Sequence, residues 1–237
     1  MICDLKYIQK FKGEFEAEGL SRAELASEVV FAAKHGFDYL VKISGCEALS
    51  DIYYLEKLGV GSIVCPMIES PFAMRKYMSS VANKGFNSIG VTIETITAVN
   101  NVEEILDAGE HLTEVTVGRS DLSASAGIKE VEDDLVTDMV VHVAKSAKAR
   151  GLTFTMGGSI SSDTTKTLKR RSDLLGLLDS IETRKTVIHQ SHLLNSAALN
   201  ESLLLEKMLL EKRLSLASRV SDSIKKRIVD ISSRMIV

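Results

Sequence analysis

The chain has 237 residues, 45% hydrophobic and 26% charged, with a net charge of −3. That length suffices for one large domain with a substantial core, and so small a charge gives no reason to expect nucleic acid or an acidic membrane as partner. No stretch approaches the roughly 18 apolar residues of a membrane span, residues 1–12 lack the apolar centre of a signal peptide, and Cys3, Cys46 and Cys65, without metal-ligand spacing, read as reduced thiols of a cytoplasmic protein.

Short β-like runs alternate with helical patterns. Polar and apolar residues alternate over 14–18, which predicts a first strand. Ser21, with Glu24 three positions on, forms a capping box and starts a helix that Gly36 ends. Further strands are predicted over 39–43, 62–68, 87–93, 114–117 and 152–156, with a last one inside 178–188. Helices are predicted between them over 46–58, 71–83 (opening on Pro71), 99–108, 133–150 and 161–171. Seven strands alternating with helices call for a parallel sheet with helices outside. The spacing of about thirty residues per unit fits an α/β fold of the (β/α)8 TIM-barrel type with one strand degenerate or lost. A doubly wound open sheet would carry a glycine-rich dinucleotide turn after an early strand, and none is present.

The barrel is assigned to residues 1–190 and a C-terminal helical segment to 191–237. Over 192–235 there is neither proline nor glycine, and Leu203, Leu210, Ala217, Ile224 and Ile231 recur every seven residues. Leu214, Ile228 and Met235 follow three of these by four positions. Such an apolar stripe packs either on its own barrel or on a neighbouring subunit, and both readings stay open.

In a barrel of this kind catalytic groups sit at the C-terminal ends of the strands. The predicted rim holds Glu16 and Glu18, Lys42, Glu94, the run Gly118-Arg119-Ser120-Asp121, and Glu182 with Arg184. Glu94 and Asp121 end adjacent strands. Two carboxylates at one point repel unless a cation joins them, and with water they suit a hard divalent ion, Mg²⁺ or Mn²⁺. Each also reads as an ordinary helix cap or surface ion pair. Lys42, inside a strand, is also the kind of residue that forms a Schiff base. Arg184 either reaches an anionic substrate arm or pairs with Glu182 or Glu16. Residues 157–161 read as a turn and helix cap, Glu69 as a helix-start charge, and Cys65 as core. The five histidines have no ligand spacing.

Three blocks carry a resemblance: Val64-Cys-Pro-Met-Ile-Glu-Ser70; Val91-Thr-Ile-Glu-Thr95 followed by Ala98-Val-Asn-Asn-Val-Glu-Glu-Ile105; and Val117-Gly-Arg-Ser-Asp-Leu-Ser123. In order and spacing, over about residues 13–185, the chain resembles the HpcH/HpaI aldolase and citrate lyase family. The resemblance implies that Glu94 and Asp121 hold Mg²⁺ or Mn²⁺, which stabilises an enolate as a C–C bond next to a 2-keto acid breaks or forms. It places Gly118 and Ser120 at the substrate, with N–H groups of Ser120 and Asp121 on its carboxylate; Arg119 and Arg184 join them as substrate-binding candidates from their places on the predicted rim. Lys42 stands where the family's aldolases have an arginine, keeping the charge but losing the bidentate fork. The family's Asp-Gly-Glu-His stretch has its nearest counterpart in Glu16-Ala-Glu18-Gly19, without the histidine, which leaves Glu16 or Glu18 as the proton-transfer base. With that histidine missing, a citrate- or acyl-lyase-like or phosphoenolpyruvate-type reaction stays open beside the aldolase type, as does a non-catalytic barrel subunit. The resemblance also implies a homo-oligomer exchanging its last helix, and a small molecule rather than nucleic acid or membrane as partner.

Overall fold

The computed structural model describes residues 5–216 and 222–235. Its strands are β1 Ile8–Glu14, β2 Asp38–Lys42, β3 Ser62–Cys65, β4 Ser88–Ile93, β5 Glu114–Gly118, β6 Thr153–Gly157, β7 Ser180–Glu182 and β8 Thr186–His189. The helices are α1 Arg22–Lys34, α2 Leu49–Leu58, α3 Pro71–Val81, α4 Ile96–Asn100, α5 Val102–Asp107, α6 Arg119–Ser125, α7 Asp134–Ala149, α8 Ser162–Arg170, α9 Ser172–Leu175, α10 Ser196–Leu216 and α11 Asp222–Arg234. Local signals explain several boundaries. Ser21 and Glu24 form the expected capping box on α1. Ser70 caps α3, with Pro71 in its first turn.

The strands close in sequence order into a barrel. From β1 to β7 each neighbouring pair is parallel, whereas β8 runs antiparallel to both β7 and β1. The run expected to be one strand inside 178–188 is therefore two. Only residues 183–185 join β7 to β8, and so short a link permits a hairpin but not a parallel crossover, which needs a dozen residues or more. The hairpin supplies the eighth strand without a preceding helix. The first strand also differs from expectation. Of residues 14–18 only Glu14 belongs to it, because the chain turns after Glu14: the Gly19 N–H donates to the Glu16 carbonyl at 3.1 Å, with Gly19 at φ +57°. The alternation that suggested a strand there continues a true one from Ile8.

The two-residue period sorts each strand into an outer and an inner face. Outward side chains such as Phe11, Val41, Ile63, Val91, Val115 and Phe154 join the main core under the helices. Inside, Leu40, Val64 and Val187 make a small separate apolar cluster. Much of the remaining interior is buried polar chain: Lys12, Glu14, Thr92, Glu94, Thr116, Thr155 and Glu182 among others. Barrels of eight strands usually fill this space with branched aliphatic groups, so a polar interior must be held by partners within the barrel or by a ligand.

α10 packs against β8 and β1, burying Leu199, Leu203 and Leu210. Its Ser202 hydroxyl bonds the side chains of Thr183 and Thr186, which flank the hairpin, at 2.7 and 2.5 Å. α11 lies on α10, with Ile231 buried and Ile224, Ile228 and Met235 partly buried against the same core. Most of the heptad-spaced stripe thus meets its own barrel within this chain; Ala217 falls outside the described residues. Among the described residues no helix is long and apolar enough to cross a membrane.

Candidate active site

The C-terminal ends of the strands surround a cavity of about 190 Å³. Glu94, one residue beyond β4, is only 1% exposed. Its Oε1 accepts the Met67 N–H at 3.1 Å and its Oε2 the Lys42 ammonium at 3.3 Å. Met67 adopts φ 53°, a left-handed backbone that is costly for a side-chain-bearing residue and characteristic of functional sites. Burial pushes the Glu94 carboxyl above its ordinary range; Lys42 and the Met67 N–H oppose this, and Asp121 adds to it. Gly118 makes room, since a Cβ there would stand 2.7 Å from Glu94 Oε2.

Asp121, in the first turn of α6, is exposed and lines the same cavity. Among the described residues its carboxylate has no cation or hydrogen-bond donor. One buried carboxylate and one without a partner form a donor set that fits a divalent cation, with the other positions left to water or substrate oxygens. No group of three or more His, Cys, Asp or Glu able to hold a metal occurs among the described residues, so the fit is to an ion shared with a ligand rather than caged by protein.

Ion pairs occupy the rest of the mouth. Glu14, the last residue of β1, meets Arg184 at 2.8 Å and Lys42 at 3.9 Å. Lys12 meets Glu182 at 2.5 Å. Burial acts to lower the Lys12 ammonium, but Glu182 and Glu14 outweigh it and hold it above its ordinary value. Gly157 leaves space for that pair, as a Cβ would approach Glu182 Cγ to 2.8 Å. Beside Asp121, the Ser120 hydroxyl lies 3.0 Å from that of Ser159. Gly158, at φ +86°, lets the backbones close up: a Cβ would fall 2.5 Å from the Ser120 nitrogen.

The structure thus brings Lys42, Glu94, Gly118, Ser120, Asp121 and Arg184 to one cavity. It does not bring Glu16, Glu18 or Arg119 there. Because β1 ends at Glu14, Glu16 is exposed in the turn. Glu18 turns behind the barrel wall, where it pairs with buried Lys185. Lys185 also meets Glu28 at 2.9 Å, and the Tyr39 hydroxyl donates to Glu28 at 2.5 Å. Arg119 is 1% exposed and its donors are committed. They reach Glu132 at 2.9 Å, the carbonyls of Gly157 and Gly158 at 3.3 and 2.9 Å, and the Thr164 hydroxyl at 3.0 Å. It braces α6 against the β6–α8 loop from below the mouth.

Lys12, Glu14, Arg227 and Arg234 also line the cavity and were not expected there. The alternation Lys10, Lys12, Glu14 was the available signal for the first two. On α11 the sequence shows an apolar stripe, and nothing in it marks the arginines beside that stripe as cavity-facing.

Burial pushes Glu18 up to about 7, against the opposing pull of Lys185. A carboxyl whose pKa is raised by folding favours the folded state while protonated, so stability is lost as pH rises from the unfolded value toward 7. Thermal unfolding followed by circular dichroism between pH 5 and 8 is expected to show this fall. It should be flatter in Glu18→Gln, and an identical slope in the variant would refute the assignment.

An α/β barrel with its carboxylates, lysines and arginines gathered at the C-terminal mouth defines the class. The chain belongs to the HpcH/HpaI aldolase/citrate lyase family, whose model matches residues 40–170, more than half its length. Membership supports a lyase-type function. The match includes Lys42, Glu94 and Asp121 but not β1, β7, β8 or the last two helices. Similar solved structures include an HpcH/HpaI aldolase from Desulfitobacterium hafniense DCB-2 (TM-score 0.60, 19% identity, covering 73% of this chain and 75% of that one). Another is the citrate synthase SbnG (0.57, 20%, 67% and 72%). A third is a citrate lyase beta subunit from M. tuberculosis complexed with oxaloacetate and magnesium (0.56, 16%, 79% and 85%). At these identities the likeness is one of fold. A comparison with curated protein sequences gave no match.

Proposed function

We propose that this protein is a carbon–carbon lyase that acts next to the carbonyl of a 2-keto acid through an enolate, with Mg²⁺ or Mn²⁺ held by Glu94 and Asp121. The observation that carries the reading is the convergence of buried Glu94 and partnerless Asp121 on one cation-rich cavity, in a chain of this family. When bound, the ion supplies Lewis acidity toward the substrate's carboxylate and keto oxygens.

The protein's own groups supply the rest. Lys42 carries a fixed positive charge beside Glu94, where negative charge gathers on the enolate oxygen. α6 starts at Gly118 without a side-chain cap, which leaves the Ser120 and Asp121 N–H groups for a substrate carboxylate. Glu14 takes the proton-transfer role that the sequence suggested for Glu16 or Glu18, because it is the carboxylate of that segment in the mouth. The ion pairs of Lys42 with Glu94 and Glu14 suit a charge role rather than a Schiff base, whose lysine must lose its proton. The proposed homo-oligomer and cytoplasmic setting stand beside this reading as further expectations.

The test is exchange of the pyruvate methyl protons in D₂O, followed by NMR with Mg²⁺ or Mn²⁺, with EDTA, and in Asp121→Ala. The expected result is metal-dependent exchange that EDTA and the substitution abolish. Exchange unaffected by both would refute the metal site, and its absence under all conditions would count against pyruvate as the enolising unit.

A further inference from the structure

The two carboxylates proposed to hold the metal are fixed in different ways. Glu94 is held by its own side chain, which accepts from the Met67 N–H and from Lys42. The Asp121 carboxylate has no donor or cation among the described residues, so only its backbone decides where it stands. That backbone is the first turn of α6, a helix of seven residues that begins at Gly118 without a side-chain cap. The first turn of a helix has no intrahelical partners for its N–H groups, and uncapped ends fray. A metal site needs its ligands within about 0.5 Å of the working geometry. Something other than α6 itself must therefore hold this turn.

Arg119 does so from beneath. Its buried guanidinium ties α6 to three other pieces of chain. Nε and Nη2 donate to the carbonyls of Gly157 and Gly158, Nη1 to Glu132 in the α6–α7 loop, and Nη2 also to the Thr164 hydroxyl in the first turn of α8. That hydroxyl donates in turn to the same Glu132 oxygen at 2.7 Å and accepts the Ser161 N–H at 3.1 Å. Across the seam the two backbones touch: a Cβ on Gly158 would fall 2.6 Å from the Arg119 nitrogen as well as 2.5 Å from that of Ser120. A trans peptide points its N–H opposite to its C=O. With the Gly157 and Gly158 carbonyls drawn to Arg119, the Gly158 and Ser159 N–H groups turn the other way. Ser159 is left at φ 50°, a conformation that persists only where its surroundings enforce it. Arg119 thus fixes both the spacing and the rotation of α6 against the β6–α8 loop. A planar fork of five donors suits this task, since it meets two carbonyls and a carboxylate at once.

We infer that Arg119 is a positioning residue for the divalent ion: its grip on the Gly157 and Gly158 carbonyls sets α6 so that Asp121 meets the same cavity as Glu94. This rests on the metal reading of those two carboxylates. Arg119 touches neither ion nor substrate. It acts through the backbone of its own turn, two residues before Asp121, and so governs metal affinity separately from overall stability. Glu132 is the counter-ion that lets the guanidinium stay charged while buried.

Metal binding, read apart from turnover, tests this. Mn²⁺ is titrated calorimetrically into the full chain, and the melting temperature is followed without metal, for the parent, Arg119→Gln and Arg119→Lys, with Asp121→Ala marking the site. Asp121→Ala should lose Mn²⁺ binding. Arg119→Gln should bind about tenfold more weakly, the lower end of the loss seen for outer partners of metal ligands, and should melt earlier. Lysine keeps the charge for Glu132 but has no fork for the two carbonyls. Arg119→Lys should therefore recover most of the melting temperature yet stay about tenfold weaker for Mn²⁺. A brace of the fold alone would not give that split, because a variant still folded at the temperature of titration would bind as the parent does. Affinity within about twofold of the parent in folded Arg119→Gln would overturn the proposal. So would Arg119→Lys recovering affinity and stability together. If neither Arg119 variant folds, Thr164→Val decides, since it removes the hydroxyl that Arg119 and Glu132 share: binding weaker by about threefold or more, the scale of one hydrogen bond, supports the proposal, and unchanged affinity overturns it. If the parent binds no Mn²⁺, or Asp121→Ala binds it equally well, the metal reading itself has failed and the proposal falls with it.

Discussion

Glu94→Gln is expected to remove the metal-dependent reaction almost entirely. The substitution keeps the shape of the side chain in a place with no room for another: Gly118 is tolerated as a neighbour only because it lacks a Cβ. What changes is charge and donor balance. Glu94 accepts from the Met67 N–H and from Lys42. A glutamine has one oxygen for these two donors, and its NH₂ group faces whichever is left. The same exchange removes the anionic oxygen that the proposed site would offer to a divalent ion. Loss of an outer partner of a metal ligand typically lowers affinity or activity by about 10- to 100-fold, so loss of the ligand itself is expected to lower the exchange rate by more than about 100-fold. A second readout is independent of turnover. Metal at about 100 times its dissociation constant stabilises the native state by about 2.7 kcal/mol, so Mg²⁺ should raise the melting temperature of the parent chain and leave that of Glu94→Gln unmoved. A variant that keeps both the rate within tenfold and the Mg²⁺ shift would remove Glu94 from the metal site.

How far the sequence led depends on which physical signal was in play. Turn chemistry was legible: Ser21 with Glu24 and Ser70 with Pro71 act locally, and the helices begin where those residues say. So were the buried parallel strands, because Ser62–Cys65 and Ser88–Ile93 are short apolar runs bounded by turns. Glu94 was legible as a rim residue because it directly follows such a strand, and Asp121 because it lies in the helical turn that follows another. Alternation alone misled at the edges of the barrel. The period of two runs on through Glu14 into a turn made by tertiary contacts, and that shift put Glu16 and Glu18 forward in place of Lys12 and Glu14. In 178–188 one apolar run concealed two strands, since the break at Thr183 to Lys185 carries no proline or glycine to announce it. Truncation after Lys185 would therefore remove β8 along with the helical tail and open the barrel. Arg119 sits one residue from the cavity-lining Ser120, yet α6 starts at that point, and the helical turn takes it away from the cavity that Asp121 lines. No pattern in α11 shows that Arg227 and Arg234 face a cavity, because that depends on where the helix docks.

Lys42 stands at the centre of this arrangement, and Lys42→Met is expected to affect rate and stability in ways that separate its roles. The ammonium serves two carboxylates, at 3.3 Å from Glu94 and 3.9 Å from Glu14. Methionine preserves much of the length and apolar stem but not the charge. As a preorganised cation beside developing negative charge, Lys42 should be worth about 100- to 1,000-fold in kcat, as such groups are elsewhere, with a smaller change in KM. Breaking a buried ion pair by removing one partner costs about 3–5 kcal/mol. The expected cost here is about 2–3 kcal/mol, because the Lys42 side chain is 19% exposed and Glu14 keeps Arg184. That deficit should shrink when Mg²⁺ is added, since an ion at Glu94 neutralises the carboxylate that Lys42 has abandoned; urea titrations with and without metal measure it. Lys42→Arg discriminates the remaining alternative. If Lys42 works through its charge, arginine restores part of the rate and most of the stability. If it forms a Schiff base, arginine is as inactive as methionine, and borohydride with a keto acid traps the parent chain irreversibly at that residue.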